Sequence, residues 1–130
     1  MAGALKRRFL RLLSRTINPL ALKAARAGRG PFSQLSHFGR RTGQRYETPL
    51  ILAKVDDGFV AELTYGDDVA WYRNLKATGR GELLVRGVTH QISGVDNLPA
   101  ADGLAAYPLP ARTVLKLLGR RQFRLIRIHD

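Results

Sequence analysis

No cysteine occurs anywhere in the chain, so it has no disulfide framework, no thiolate metal site and no cysteine nucleophile. Zinc-finger and cysteine-hydrolase readings are thereby excluded. Acidic residues are scarce as well: 10 Asp and Glu stand against 22 Lys and Arg, a formal net charge of +12. Such an imbalance implies an anionic partner, whether a phosphorylated ligand, a nucleic acid or a lipid surface. Long apolar runs are missing too. Nothing approaches the roughly 18 apolar residues of a spanning helix, and Arg11 and Arg15 interrupt any signal-peptide core, which points to a cytoplasmic chain. His37, His90 and His129 fall on different elements without metal-ligand spacing, so no metal is expected. Ser33, Ser36 and Ser93 have no neighbouring His and Asp to form a hydrolase set, and Asp56-Asp57 and Asp67-Asp68 read as turn and cap residues.

What is present suits one domain with a single hydrophobic core, since the chain has 130 residues. The charge is uneven. Residues 1–30 hold eight basic residues and no acid, leaving 14 bases against 10 acids in residues 31–130. On a helix, Leu5, Phe9, Leu10, Leu12, Leu13 and Ile17 share one side while Arg7, Arg8, Arg11 and Arg15 share the other, with Lys6 near the boundary. That pattern fits an interfacial helix on an anionic membrane, and it fits equally a terminal helix packed on the core with a solvated basic face.

Asn18-Pro19 ends this helix, Leu20 to Ala27 reads as a second short one, and Gly28-Arg29-Gly30-Pro31 breaks the chain. The pattern then changes to strands over Phe32–Phe38, Tyr46–Val55, Gly58–Tyr65, Glu82–Arg86, Val88–Val95 and Gln122–His129. Asp56-Asp57-Gly58 and Arg86-Gly87 supply hairpin turns. Asp68 is placed to cap a helix Val69–Thr78 that ends at Gly79, and Pro110 to start one from Ala111 to Leu118, while residues 98–107 are ambiguous. Six strands with short intervening helices predict an α+β, mainly β, fold: a small antiparallel barrel (residues 31–130) with peripheral helices and a basic amphipathic N-terminal arm (residues 1–30).

The connection between the first two strands, His37-Phe38-Gly39-Arg40-Arg41-Thr42-Gly43-Gln44-Arg45, concentrates three arginines beside two glycines. Gly39 and Gly43 permit close backbone approach, and successive N–H groups with the Thr42 hydroxyl and the Arg40, Arg41 and Arg45 guanidinium groups can wrap a phosphate. A solvated basic hairpin is the alternative.

Gly39-Arg40-Arg41-Thr42-Gly43, Tyr46-Glu47-Thr48-Pro49-Leu50, Asp57-Gly58-Phe59-Val60, Tyr65-Gly66, Ala70-Trp71-Tyr72-Arg73-Asn74-Leu75 and Gly79-Arg80-Gly81-Glu82-Leu83 occur in that order. Over roughly residues 34–128 the chain resembles the deazaflavin-dependent nitroreductase family, split-barrel oxidoreductases that use coenzyme F-420. The resemblance implies that Arg40, Arg41, Thr42, Gly43 and Arg45 grip the phosphate and charged tail of the cofactor. It implies that Thr48, Pro49 and Leu50, with Thr64, Tyr65 and Gly66, line the deazaflavin ring, and that Trp71 and Asn74 close the groove. Arginine suits such anions through fixed bidentate donors. Tyr65 is then the candidate for donating a hydrogen bond or proton on the substrate side, with Tyr107 second. Thr64-Tyr65-Gly66-Asp67 stands where many members carry a Ser-Lys or Asn-Gly pair, which removes one cationic contact.

The leading function is hydride transfer from reduced F-420 to an electron-poor small molecule, a quinone, nitroaromatic or activated alkene, with FMN as the alternative cofactor. A nonenzymatic carrier on the same barrel is the second reading. A nucleic-acid binder is the third, opposed by the lack of a basic element with interleaved aromatics. The resemblance also implies a homodimer. For the arm, each basic residue near an anionic leaflet contributes about 1 kcal/mol, enough with modest apolar insertion to hold a peripheral protein. The full chain is therefore expected to cosediment with anionic but not neutral vesicles, less so at high salt, and a chain lacking residues 1–18 to lose that binding. Equal behaviour of the two on anionic vesicles would refute the membrane reading.

Overall fold

The structure is a computed structural model and describes residue 20 and residues 22–26, 31–64 and 66–129. The amphipathic segment 4–17 and Tyr65 lie outside the described residues. Six antiparallel strands form a closed barrel: β1 (Phe32–Phe38), β2 (Arg45–Val55), β3 (Gly58–Glu62), β4 (Gly81–Val85), β5 (Val88–Leu98) and β6 (Phe123–Ile128). Around the barrel they run β1-β2-β3-β6-β5-β4, with β4 returning to β1. Closure leaves no free sheet edge. Helix α1 (Ala70–Thr78) follows β3, and α2 (Ala100–Ala106) and α3 (Ala111–Leu117) lie between β5 and β6.

Most elements form where alternation and turn chemistry place them. Strand β5 extends past Val95 to Leu98 because β6 continues to pair with it, Val95 opposite Ile126 and Leu98 opposite Phe123. Strand β3 stops at Glu62, short of the expected Tyr65; beyond it Leu63 N–H bonds Gln122 outside the ladder, and Gly66 N–H closes a turn on Leu63. The ambiguous stretch resolves as α2, entered through Pro99. Asp68 makes no cap. Val69 occupies that position with an extended backbone and no side-chain bond, while Gly79 ends α1 in the left-handed conformation.

Two apolar clusters hold these layers together. Inside the barrel, Leu35, Phe59, Leu63, Leu83, Ile92 and Ile126 meet Trp71, Tyr72 and Leu75 of α1, which closes one end. Outside it, α2 and α3 cover Ala53, Val60 and Phe123, with Tyr107 buried between. Helical residues 22–26 also sit on the barrel: Ala25 is buried, and Arg26 bonds Gln34 of β1 and Glu47 of β2.

The outer cluster depends on a close approach at Gly103, where an added Cβ would stand 2.2 Å from Cγ of Phe123. Because Phe123 is fully buried it has nowhere to move. Gly103→Ala is expected to cost about 1–3 kcal/mol by overpacking, despite alanine's better helix propensity, measured by urea unfolding. An unchanged or raised midpoint would show that α2 can lift off the barrel freely.

Candidate functional site

The β1–β2 connection folds back on itself. Gly39 N–H donates to Gln44 O at 2.8 Å and Gly43 N–H to Gly39 O at 2.9 Å, with Gly43 at φ 71° where a side chain would be strained. Thr42 Oγ1 accepts from Gln44 N–H at 3.2 Å. Arg40 N–H and one guanidinium N–H both donate to Oδ1 of Asn74, at 3.1 and 2.9 Å. Among the described residues, this leaves the Arg41 and Thr42 N–H groups without partners, along with the Arg41 side chain. The expected wrap of successive N–H groups is thus reduced to two donors at the tip, beside two guanidinium groups.

That tip forms the mouth of a cavity of about 450 Å3, whose walls include Thr48, Tyr46 and Glu47 of β2 and Ala70 and Asn74 of α1. Its floor is a hydrogen-bonded chain. Asn74 Nδ2 lies 2.9 Å from His37 Nδ1, and His37 Nε2 lies 3.1 Å from Thr48 Oγ1. His37 is 2 % exposed and stacks on Tyr46 with ring centroids 5.7 Å apart. Burial lowers its pKa from 6.5 to about 4, so the imidazole is neutral at pH 7.

A second cavity of about 540 Å3 lies on the other flank of α1 and shares Arg40 with the first. Arg73, Lys76 and Arg124 reach it, against Asp67 and Asp68. Lys76 and Arg124 both lie over the Tyr72 ring, at 5.9 and 4.8 Å from its centroid, and among the described residues Arg124 Nε is buried without a partner. The two cavities form a basic path around α1 that begins at the turn.

Of the residues singled out from sequence, Arg40, Arg41, Thr42, Thr48 and Asn74 converge on the first cavity, with Gly43 setting the turn. Others face elsewhere. Arg45 turns to Ser36, Glu47 and Glu82 and lines neither cavity. Trp71 is 6 % exposed and packs in the barrel core, edge-on to Tyr72; Ala70 and Asn74, one turn apart, face the cavity instead. Leu50 packs on the core and Pro49 is half-buried beside it. Thr64 bonds Glu62, and Gly66 takes φ 97° in the following turn.

Tyr107 as a substrate-side residue is corrected by the structure. It is 3 % exposed, and its hydroxyl lies 2.9 Å from Ile51 O and 3.1 Å from Val60 O, to which its one proton is shared. Burial pushes the phenol upward, with the charge of Glu62 adding to it, so it stays protonated. His37 is the site residue that sequence reasoning missed. Among the described residues no cluster of metal-ligating side chains exists.

The donors present suit an anionic ligand with a polar ring: two guanidinium groups and two unpartnered N–H groups for charge, and the Thr48 hydroxyl deeper in. The family model for F-420H(2)-dependent quinone reductase matches residues 15–122. The chain belongs to that family. It is accordingly an oxidoreductase, and reduced F-420 is the reductant the family uses. No curated protein matches the chain in sequence. Among solved structures, an F-420-H2 dependent reductase (FDR-A) is similar at 17% identity and a TM-score of 0.54, covering 76% of this chain and 94% of that one. A chain described as a domain-swapped dimer is similar at 14% identity and a TM-score of 0.54, covering 91% and 97%. An FMN-binding protein from Syntrophomonas wolfei subsp. wolfei aligns at 18% identity with a TM-score of 0.43, covering 99% and 95%. At these identities the first two likenesses establish the barrel fold of this quinone reductase family member.

The neutral state of His37 has a measurable consequence. Its folded pKa lies below its unfolded value, so the unfolded chain binds the extra proton between pH 6.5 and about 4. The associated stability is present in full above pH 6.5 and is lost as pH falls toward 4, by roughly 3 kcal/mol at about 1.4 kcal/mol per pH unit. Unfolding curves across this window should steepen in pH for the wild type and flatten for His37→Gln; equal slopes would place His37 in contact with solvent.

Proposed function

We propose that this chain transfers a hydride from reduced F-420, held in the cavity between the β1–β2 turn and α1, to a small quinone-type acceptor. The observation that carries this reading is the pair of unpartnered N–H groups at Arg41 and Thr42 beside the Arg40 and Arg41 guanidinium groups, at the mouth of a cavity floored by polar, neutral side chains. When bound, reduced F-420 supplies the hydride. The protein supplies position and charge. Arg41 and the tip N–H groups bind an anionic oxygen, Asn74 fixes Arg40 over the cavity, and the α1 end of the barrel limits water. Arg73, Lys76 and Arg124, on the path around α1, are placed to take further carboxylates.

The distribution of cations supports a small anion over a nucleic acid. Arg26, Arg45, Arg120 and Arg127 are engaged by Glu47, Glu82, Glu62 and Asp96, so the charge of these four is neutralised locally. Arg40 and Arg41 carry no carboxylate partner among the described residues. Nitroaromatics and activated alkenes are acceptors of the same electron-poor kind. The basic arm, residues 4–17, would bring the barrel to a lipid-dissolved quinone.

Titration of the protein with F-420, followed by fluorescence, is expected to show saturable binding, and reduced F-420 is expected to be oxidised on addition of a naphthoquinone. Arg41→Ala should weaken F-420 binding by about 1.5–3 kcal/mol, the range for a hydrogen bond to a charged group. Unchanged affinity in Arg41→Ala and in Arg40→Ala together would make the turn a solvated hairpin and overturn the reading.

A further inference from the structure

The hydrogen-bonded floor of the cavity has a direction, and the direction is set by Arg40. Arginine donates and never accepts, so the Asn74 atom that meets both Arg40 N–H groups must be the amide oxygen. Its NH2 group therefore faces His37, and Nδ1 of His37 must accept. A neutral imidazole that accepts at Nδ1 carries its proton on Nε2, which donates to Thr48 Oγ1. The hydroxyl proton of Thr48 has no acceptor among the described residues, and Thr48 lines the cavity.

We infer that His37 is a positioning residue, locked by Asn74 as the Nε2–H tautomer, and that it fixes Thr48 as a hydrogen-bond donor aimed at a proton-free carbonyl of the ligand in this cavity. The inference rests on the proposed function for the identity of that ligand. Two sources carry such a carbonyl: the pyrimidinedione of the deazaflavin, and the quinone acceptor. A donor at a ring carbonyl selects oxidation states and orientations in which that oxygen is free to accept, which a rotating hydroxyl would not.

The neighbours of His37 are consistent with this polarity. Arg40 and Arg41 approach from the turn, and Tyr46 and Glu47 from β2, where Glu47 is held by Arg26. Helix α1 presents the neutral Asn74. Strand β4 presents Gly81 opposite His37, while Glu82 turns toward Arg45 at 3.8 Å. Among the described residues no carboxylate contacts the imidazole, and burial holds it neutral at pH 7.

The test combines a structural readout with two binding arms. Nitrogen-15 and carbon-13 NMR of the free protein at pH 7 should report His37 as the Nε2–H tautomer. Thr48→Val keeps the branched shape and removes the hydroxyl, and is expected to weaken one arm about five- to tenfold, with Thr48→Ser close to wild type. Loss in the dissociation constant of F-420 assigns the carbonyl to the cofactor. Loss only in KM for a naphthoquinone at saturating reduced F-420 assigns it to the acceptor. Asn74→Asp still accepts from Arg40 but cannot donate, so neutral His37 must move its proton to Nδ1 and take the Thr48 proton at Nε2. That variant should bind like Thr48→Val at high pH and recover as the imidazole becomes doubly protonated at lower pH, a profile that a merely structural asparagine would not produce. An Nδ1–H tautomer or an imidazolium in the wild type at pH 7, or Thr48→Val unchanged in both arms, overturns the inference. Wild-type protein that fails to bind F-420 while showing the Nε2–H tautomer overturns the proposed function, and with it the target of the donor, whereas F-420 binding with an unchanged Thr48→Val overturns the donor alone.

Discussion

The buried amide of Asn74 is the contact on which the geometry of the site depends. Helix α1 is held to the barrel mainly by apolar side chains, Trp71, Tyr72 and Leu75. Such packing is strong but weakly directional, and alone it would tolerate small slides of the helix over the barrel mouth. Asn74 removes that freedom. It joins α1 to the turn through Arg40 and to β1 through His37, so three elements share one fully buried side chain. A polar network of this kind is stable only if its members are satisfied, and here each bond fixes the donor or acceptor role of the next.

That constraint also organises the charge. A basic chain repels itself, and an unpaired guanidinium costs least where it can stay hydrated. The described barrel places its paired arginines along strand faces and strand exits: Arg120, for instance, bonds Glu62 at 2.5 Å and also the carbonyls of Leu63 and Thr64, anchoring the exit of β3. Arg40, by contrast, spends its bonds on a neutral amide, so its positive charge is positioned without being cancelled. With Arg41 beside it, two uncancelled guanidinium groups stand together at the cavity mouth, where they favour binding of a small anion.

Much of the barrel was legible because alternation and hairpin chemistry are local signals. Phe32–Phe38 reads as a strand from its own residues, and Asp56-Asp57-Gly58 as a hairpin from three. Misplaced ends, such as the expected continuation of β3 to Tyr65, came where a tertiary contact overrides propensity. The charged half of the site was legible for a related reason: Arg40, Arg41 and Thr42 are contiguous. The neutral half was not. His37 is one of three scattered histidines with no metal spacing, and nothing near it in the chain reveals that Asn74, 37 residues away, supplies its partner. Tyr107 failed in the opposite direction, since an aromatic alcohol after an ambiguous segment looks available until the outer cluster is seen to enclose it.

The register of β1 on β2 ties the two halves together. His37 lies opposite Tyr46, and Thr48 follows two residues on, so both present their side chains on the face that His37 uses: one by stacking, the other by hydrogen bonding. A slip of one residue would turn Thr48 away and bring Glu47 to the imidazole, replacing a neutral floor with a charged one. What prevents the slip is the turn itself, closed by Gly39 and Gln44 and made possible by the left-handed Gly43. The arginine-rich connection is thus both the anion-binding mouth and the device that sets the pairing beneath it. Lengthening it to gain another cation would cost the alignment of His37 with Thr48, which is a physical reason for the charge to be packed into so short a turn.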